Sequence, residues 1–223
     1  MPDYTITELD ISEIGLSQLP SDIDKYTNLK KIICNENEIT QLDNLSPGLK
    51  ELYCNDNKIT QLDNLPLGLE ILICSRNNIA QLDNLPPGLK VLDCAKNKIT
   101  QLNNLPLGLK ELYCFNNQIT NLDNLPLGLK ELDCGNNDIT QLDNLPPSLK
   151  KLYCSVNKIT QLNNLPSSLE ILVCSYNQIT QLNNLPISLI KLQCDNNPLI
   201  YDFEPTLENI KKYIASNANI PCS

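Results

Sequence analysis

From Leu29 onward, apolar and polar positions recur with a period of twenty residues. The unit reads LxxLxCxxNxITQLDNLPxG, closed by Gly or Ser, and begins at Leu29, Leu49, Leu69, Leu89, Leu109, Leu129, Leu149, Leu169 and Leu189. A fixed period of this length predicts a solenoid, in which each unit buries its apolar face only against its neighbours. Within residues 109–128, Leu112 and Cys114 alternate with Glu111, Tyr113 and Phe115. That period of two predicts a short strand with leucine and cysteine turned inward. Asn117 ends the strand, its amide suited to backbone groups that the turn leaves unpaired, or to stacked copies of itself. Ile119, Leu122 and Leu125 lead the chain back over the core, and Pro126 and Gly128 shape the return to Leu129. Twenty residues leave no room for an outer helix of ordinary length, so the outer side is expected to be extended or polyproline-like.

The two ends depart from the pattern. Ile6, Leu9, Ile11, Leu16 and Leu19 make a degenerate first unit, with Ile14 where later units carry asparagine. The stretch SDIDKYTN that follows favours a more helical outer segment. Beyond Pro198, PTLENIKKYIASN places Leu207, Ile210 and Ile214 at helical spacing. A short helix over the last strand is predicted there, because an uncovered edge invites association. The chain thus divides into a degenerate N-terminal repeat or cap (1–28), nine twenty-residue repeats (29–204) and a C-terminal helical cap (205–223).

Composition narrows the chemistry. The 223 residues include no histidine and no tryptophan, which excludes Ser-His-Asp and Cys-His nucleophiles and His-ligated zinc. A net charge of −9 offers no basic field for a phosphate backbone, so no nucleic-acid partner is expected. No run of about eighteen apolar residues occurs, so no segment is predicted to span a membrane, and no membrane partner is expected. The opening MPDYTITELDIS lacks the basic flank and apolar run of a secretory leader.

Nine of the ten cysteines, Cys34 to Cys194, stand twenty residues apart, with Cys222 outside the series. Side chains stacked in register at about 4.8 Å sit slightly beyond disulfide reach. Cysteine in this file reads as a small buried hydrophobe, and Cys222 as the one thiol open to reaction. The expected setting is reducing and intracellular, a cytoplasm.

The unit resembles that of the leucine-rich repeat family, whose LxxLxLxxNxL signature is matched over residues 29–200 with cysteine at the sixth position. The LxxLP tail and the length of twenty resemble the short-repeat subclass of bacterial effector proteins, and the unit is similar to leucine-rich repeats of giant viruses of amoebae. The resemblance implies a leucine-rich repeat solenoid, a horseshoe with a parallel β-sheet on its concave face, used for binding proteins. Some effectors of this subclass carry a ubiquitin-ligase domain after the repeats, and the short remainder of this chain is not expected to supply one.

Stacking turns each repeat position into a column. The threonine file (Thr40, Thr60, Thr100, Thr120, Thr140, Thr160, Thr180, broken by Ala80) and the Asn37–Asn197 file read as structural, with an ice-binding or purely structural solenoid as the alternative use of the threonines. Asp43, Asp63, Asp83, Asp123 and Asp143 form a broken carboxylate file, which falls short of the six to eight converging oxygens that calcium needs. No metal, cofactor or catalytic residue is assigned, and an enzyme acting through a reactive cysteine is the least favoured reading.

The outward strand positions vary, and they carry the candidate site. Tyr53, Ile71, Ile73 and Val91 make an apolar patch. Asp93, Glu111, Glu131 and Asp133 surround Tyr113 and Phe115. Tyr153, Ile171, Val173 and Tyr176 make a second apolar cluster. Aromatic residues ringed by charge, beside contiguous apolar surface, predict a non-enzymatic module or scaffold that binds a protein or peptide. Basic residues on that partner would meet the central carboxylates.

Overall fold

The computed structural model describes residues 3–217. Its regular elements are ten strands of three residues each: β1 (Glu8–Asp10), β2 (Lys31–Ile33), β3 (Glu51–Tyr53), β4 (Ile71–Ile73), β5 (Val91–Asp93), β6 (Glu111–Tyr113), β7 (Glu131–Asp133), β8 (Lys151–Tyr153), β9 (Ile171–Val173) and β10 (Lys191–Gln193). A single 3-10 turn, Ile23–Lys25, and one helix, α1 (Leu207–Asn217), complete the set.

The strands form one parallel sheet in chain order. From β2 onward each residue faces the one twenty positions later, as in Leu112 opposite Leu132. The first pairing spans twenty-three residues, Leu9 opposite Ile32, so the degenerate first unit supplies a full coil with its own strand. Its outer segment contains the Ile23–Lys25 turn as the only helical piece.

Alternation dictates which side is buried. In β6 the middle residue, Leu112, is fully buried while Glu111 and Tyr113 are half-buried. Cys114 follows the strand, remains fully buried and continues the ladder, its N–H donating to the Asp133 carbonyl at 2.8 Å. Leu109 and Ile119 are also fully buried, and Leu122 and Leu125 nearly so. A single coil has no partner for this face, so its burial depends on the coils either side. The outer side carries no helix or strand from Leu29 to Leu189. It is extended, as expected, and closed by a turn in which Leu129 N–H donates to the Pro126 carbonyl at 3.0 Å.

The asparagine file behaves differently from one of the two expectations. Stacked copies do not bond one another. The Asn77 amide donates to the carbonyls of Cys74 on its own coil (3.1 Å) and Cys54 on the coil before (3.0 Å), while its oxygen accepts from Ile59 N–H at 2.9 Å. Carbonyls and an N–H that the turn strips from the ladder are thereby satisfied from within.

At the far end, Ile210 of α1 is fully buried, with Leu207 and Ile214 packed against the core at partial burial. An aromatic trio joins the cap to the last coil: Tyr201 stacks on Phe203 at 4.9 Å, and Tyr213 meets both at 5.4 and 5.6 Å. Tyr201 Oη accepts from Leu182 N–H at 2.7 Å. Cys222 lies outside the described residues.

Candidate functional site

The outward positions of the strands sit side by side because the register is uniform. Asp93 faces Tyr113, and Tyr113 faces Asp133. Glu111 faces Glu131 in the neighbouring row. Tyr113 therefore stands between two aspartates across three strands, with two glutamates beside it. Its hydroxyl donates to Glu111 Oε2 at 3.1 Å. Burial, then the Glu131 charge and the bond to Glu111, push the Tyr113 phenol well above its usual range, so it stays a neutral donor.

The aspartates are held from below. Asp93 Oδ1 accepts from Ala95 N–H at 3.0 Å, and Asp133 Oδ1 from Gly135 N–H at 3.1 Å. Burial nonetheless outweighs these bonds and raises both carboxyls above the ordinary aspartate range. Of the four acids, Glu131 alone has an ion-pair partner among the described residues, Lys151 Nζ at 2.8 Å. Phe115 is half-buried one residue past the ladder, with the Lys96 ammonium 5.9 Å from its ring centre.

On one side of this acidic centre, Tyr53 faces Ile73 and Ile71 faces Val91. All four are half-buried, and the Tyr53 hydroxyl donates to Glu51 Oε2 at 3.1 Å. On the other side Tyr153 faces Val173, with Ile171 in the adjoining row. Tyr176 is set apart from them: it lies beyond the strand in the left-handed region, φ 57°, and is exposed. The fourteen residues read from the sequence thus share one side of the sheet, thirteen of them half-buried and Tyr176 at its margin.

Two further residues lie beside these fourteen and were not among them. Lys151 was legible, since it stands twenty residues after Glu131 in one column. Val156 was not. It is exposed with φ 58°, and Asn157 N–H on its coil donates to the Tyr176 carbonyl at 3.2 Å, so the two apolar side chains leave adjacent turns.

The nine stacked cysteines are buried and unbridged. Burial pushes Cys34 up to about 12 and Cys194 up to about 11, and drives the thiols between them higher still than an ordinary cysteine. They are neutral thiols near pH 7, poor nucleophiles and poor ligands. Among the described residues no group of three or more His, Cys, Asp or Glu side chains is placed to hold a metal. No helix among them is long and apolar enough to cross a membrane.

Known proteins match this architecture. A family model for leucine-rich repeats, two copies, matches residues 108–147. The functional domain of InlJ from Listeria monocytogenes, described as including a cysteine ladder, is 36% identical with a TM-score of 0.80, over 94% of this chain and 48% of that one. YopM from Yersinia enterocolitica is 32% identical with a TM-score of 0.74, over 92% of this chain and 50% of that one. YopM from Yersinia pestis, a leucine-rich effector protein, is 30% identical with a TM-score of 0.75, over 91% and 64%. The chain spans about half to two thirds of the length of these proteins. No curated protein sequence matches it.

Proposed function

We propose that this leucine-rich repeat protein, a solenoid resembling bacterial effectors in sequence and fold, binds a protein segment on the outward side of its sheet, the concave face. Leucine-rich repeat solenoids commonly serve as interaction scaffolds, and what supports this face is the setting of Tyr113. A neutral phenol stands between Asp93 and Asp133, with Glu111 and Glu131 alongside and one lysine among the four acids. The complementary segment carries basic side chains for Asp93, Glu111 and Asp133, and an apolar anchor for Tyr113 and Phe115. The apolar zones on either side of the centre extend the contact along the sheet. Exposed aromatic rings ringed by polar groups are the usual anchors of such interfaces.

The reading is of binding without catalysis: nucleophilic chemistry by cysteine needs a lowered thiol, and burial raises the stacked thiols instead. Unbridged thiols suit a reducing compartment, the cytoplasm of the cell that makes the chain or of a host cell.

The test is affinity capture from the cell that makes the chain, comparing wild type with Tyr113→Ala/Phe115→Ala. Both side chains are half-buried outside the core, so the variant keeps its fold and loses its specific partner. Equal recovery of every partner by the two proteins removes this face from the account.

A further inference from the structure

One flank of the solenoid carries a surface that the sheet face does not explain. At the turn before each closing Gly or Ser, the side chain points out: Leu67, Leu107, Leu127 and Ile187 are 78%, 87%, 74% and 98% exposed. Beside this ridge runs the second position of each unit, where six of the eight residues from Lys30 to Glu170 are lysine. Glu70 pairs with Lys50 and Lys90, and Glu170 pairs with Lys150. Lys110 and Lys130 make no ion pair among the described residues.

The local structure accounts for that freedom. Lys110 folds over its neighbouring turn, its ammonium 3.4 Å from the Gly128 carbonyl, in space that a side chain at Gly128 would fill. In the next coil Ser148 replaces that glycine, and its hydroxyl donates to the Leu127 and Leu129 carbonyls at 2.6 and 2.8 Å. The serine side chain fills the space that the Lys110 ammonium takes over Gly128, so Lys130 does not fold over its turn in the same way and stays exposed. The result is a basic, apolar ridge of Leu107, Leu127, Lys110 and Lys130 on a chain whose net charge is −9.

We propose that this ridge docks into the sheet face of a second copy of the same chain. The inference rests on the reading of the sheet face as a binding surface, because the ridge has the chemistry that face selects: ammonium groups for Asp93, Glu111 and Asp133, and leucine for Tyr113. Pitch supplies the independent argument. Ridge and sheet are built on the same coils, so both present one side chain about every 4.8 Å, and Lys110 set against Asp93 brings Lys130 to the next coil of the sheet, which carries Glu111 and Tyr113. An unrelated partner has no such shared spacing. The two patches are different surfaces, so the contact is head-to-tail and leaves one of each free at the ends of an open assembly. It also covers the face that would bind a foreign segment, which makes self-association and partner binding compete.

Sedimentation of the full chain in about 0.15 M salt, where long-range repulsion is screened, from roughly 10 μM to roughly 1 mM, tests this. The average mass should rise at least twofold across that range. A flank variant, Lys110→Glu/Lys130→Glu, and a sheet variant, Asp93→Asn/Asp133→Asn, should each stay monomeric. The asparagines retain the acceptors for Ala95 and Gly135, so the sheet variant folds, which circular dichroism checks. Mixed in equal amounts, each supplies the face the other lacks, and the mixture should stop at a dimer. A wild type that stays monomeric, a flank variant that assembles as wild type does, or a mixture that stays monomeric overturns the inference. If wild type is monomeric while Tyr113→Ala/Phe115→Ala loses its foreign partner, self-association falls alone. If assembly depends on Lys110 and Lys130 while that variant keeps every foreign partner, self-association stands and the foreign-partner reading falls.

Discussion

The side-chain amide of Asn137 donates to the backbone carbonyl of Cys114, twenty-three residues earlier in the chain, at 3.1 Å. It donates also to Cys134 on its own coil at 3.0 Å, and its oxygen accepts from Ile119 N–H at 3.0 Å. With the Gly135 carbonyl, which the amide also meets at 3.1 Å, one buried side chain clamps two coils through four backbone groups, and equivalents from Asn57 to Asn197 repeat the clamp.

Asn137→Ala should therefore cost more than an ordinary lost hydrogen bond. It leaves a buried N–H and two carbonyls short of partners, and each unsatisfied buried group costs about 1–3 kcal/mol. Part of the carbonyl demand is relieved by water, so the expected loss is about 2–4 kcal/mol in urea unfolding. A loss below about 0.5 kcal/mol, the level of an ordinary surface change, would show that the coils are held by apolar packing alone.

Val156 makes the opposite case. The turn after each strand places its second residue in the left-handed region, φ 50–60° from Glu36 to Asn196. Asparagine fills that place at 116, 136 and 196 and tolerates it. A β-branched residue there is an outlier. Val156→Asn should stabilise the protein by roughly 1 kcal/mol, read as a higher urea midpoint, and Asn136→Val should lower it by a similar amount. Indifference to both exchanges would contradict the strained turn.

The sequence revealed whatever the twenty-residue period carries. Leu112 and Cys114 turn inward and Tyr113 lies between Asp93 and Asp133 because register follows from the period alone. The clamp on the Cys114 carbonyl was not legible in full, since backbone acceptors leave no mark in a pattern of side chains. Leu107 and Leu127 were hidden for another reason: in a leucine-rich unit an outward leucine reads like a core one, and only the path of the turn exposes it. The trio of Tyr201, Phe203 and Tyr213 lies outside the repeats, where no second copy reinforces the signal. Tyr176 and Val156 were placed by backbone geometry, which no residue type at that position announces.

The site aspartates weaken the fold they sit on. Burial raises the carboxyls of Asp93 and Asp133 in the folded chain. A raised acid contributes stability below its unfolded pKa, about 3.9, and that contribution is lost as pH rises through the folded value. Above that range burial disfavours the charged form of both groups relative to the unfolded chain, which costs free energy. Asp93→Asn/Asp133→Asn should accordingly unfold at higher urea than wild type at pH 7, with the difference narrowing toward pH 4. An unchanged or lower midpoint at pH 7 would mean that the Ala95 and Gly135 N–H groups more than compensate for burial.

The cysteine file predicts the response to alkali. Burial pushes Cys194 up to about 11 and Cys34 up to about 12, and the deeper Cys54, Cys74 and Cys114 are raised well above an ordinary thiol. In the unfolded chain the same groups ionise near 8.5. Folding then keeps protons that the unfolded chain gives up, so this contribution is complete below about pH 8.5. It declines as pH rises toward about 11 for Cys194 and about 12 for Cys34. Each thiol that ionises only on unfolding takes about 1.4 kcal/mol per pH unit, and a stack of such thiols falls together. Urea midpoints should therefore be level from pH 6 to pH 8 and drop steeply from pH 9 to pH 10.5. In Cys94→Ala/Cys114→Ala the drop should be shallower even though the midpoint at pH 7 is lower. At pH 8 an aromatic disulfide reagent should label the nine stacked thiols no faster than the protein unfolds. Rapid labelling of any of them in the folded chain would place that thiol outside the core, and an alkaline slope unaltered by the double substitution would assign the decline to tyrosine and lysine instead.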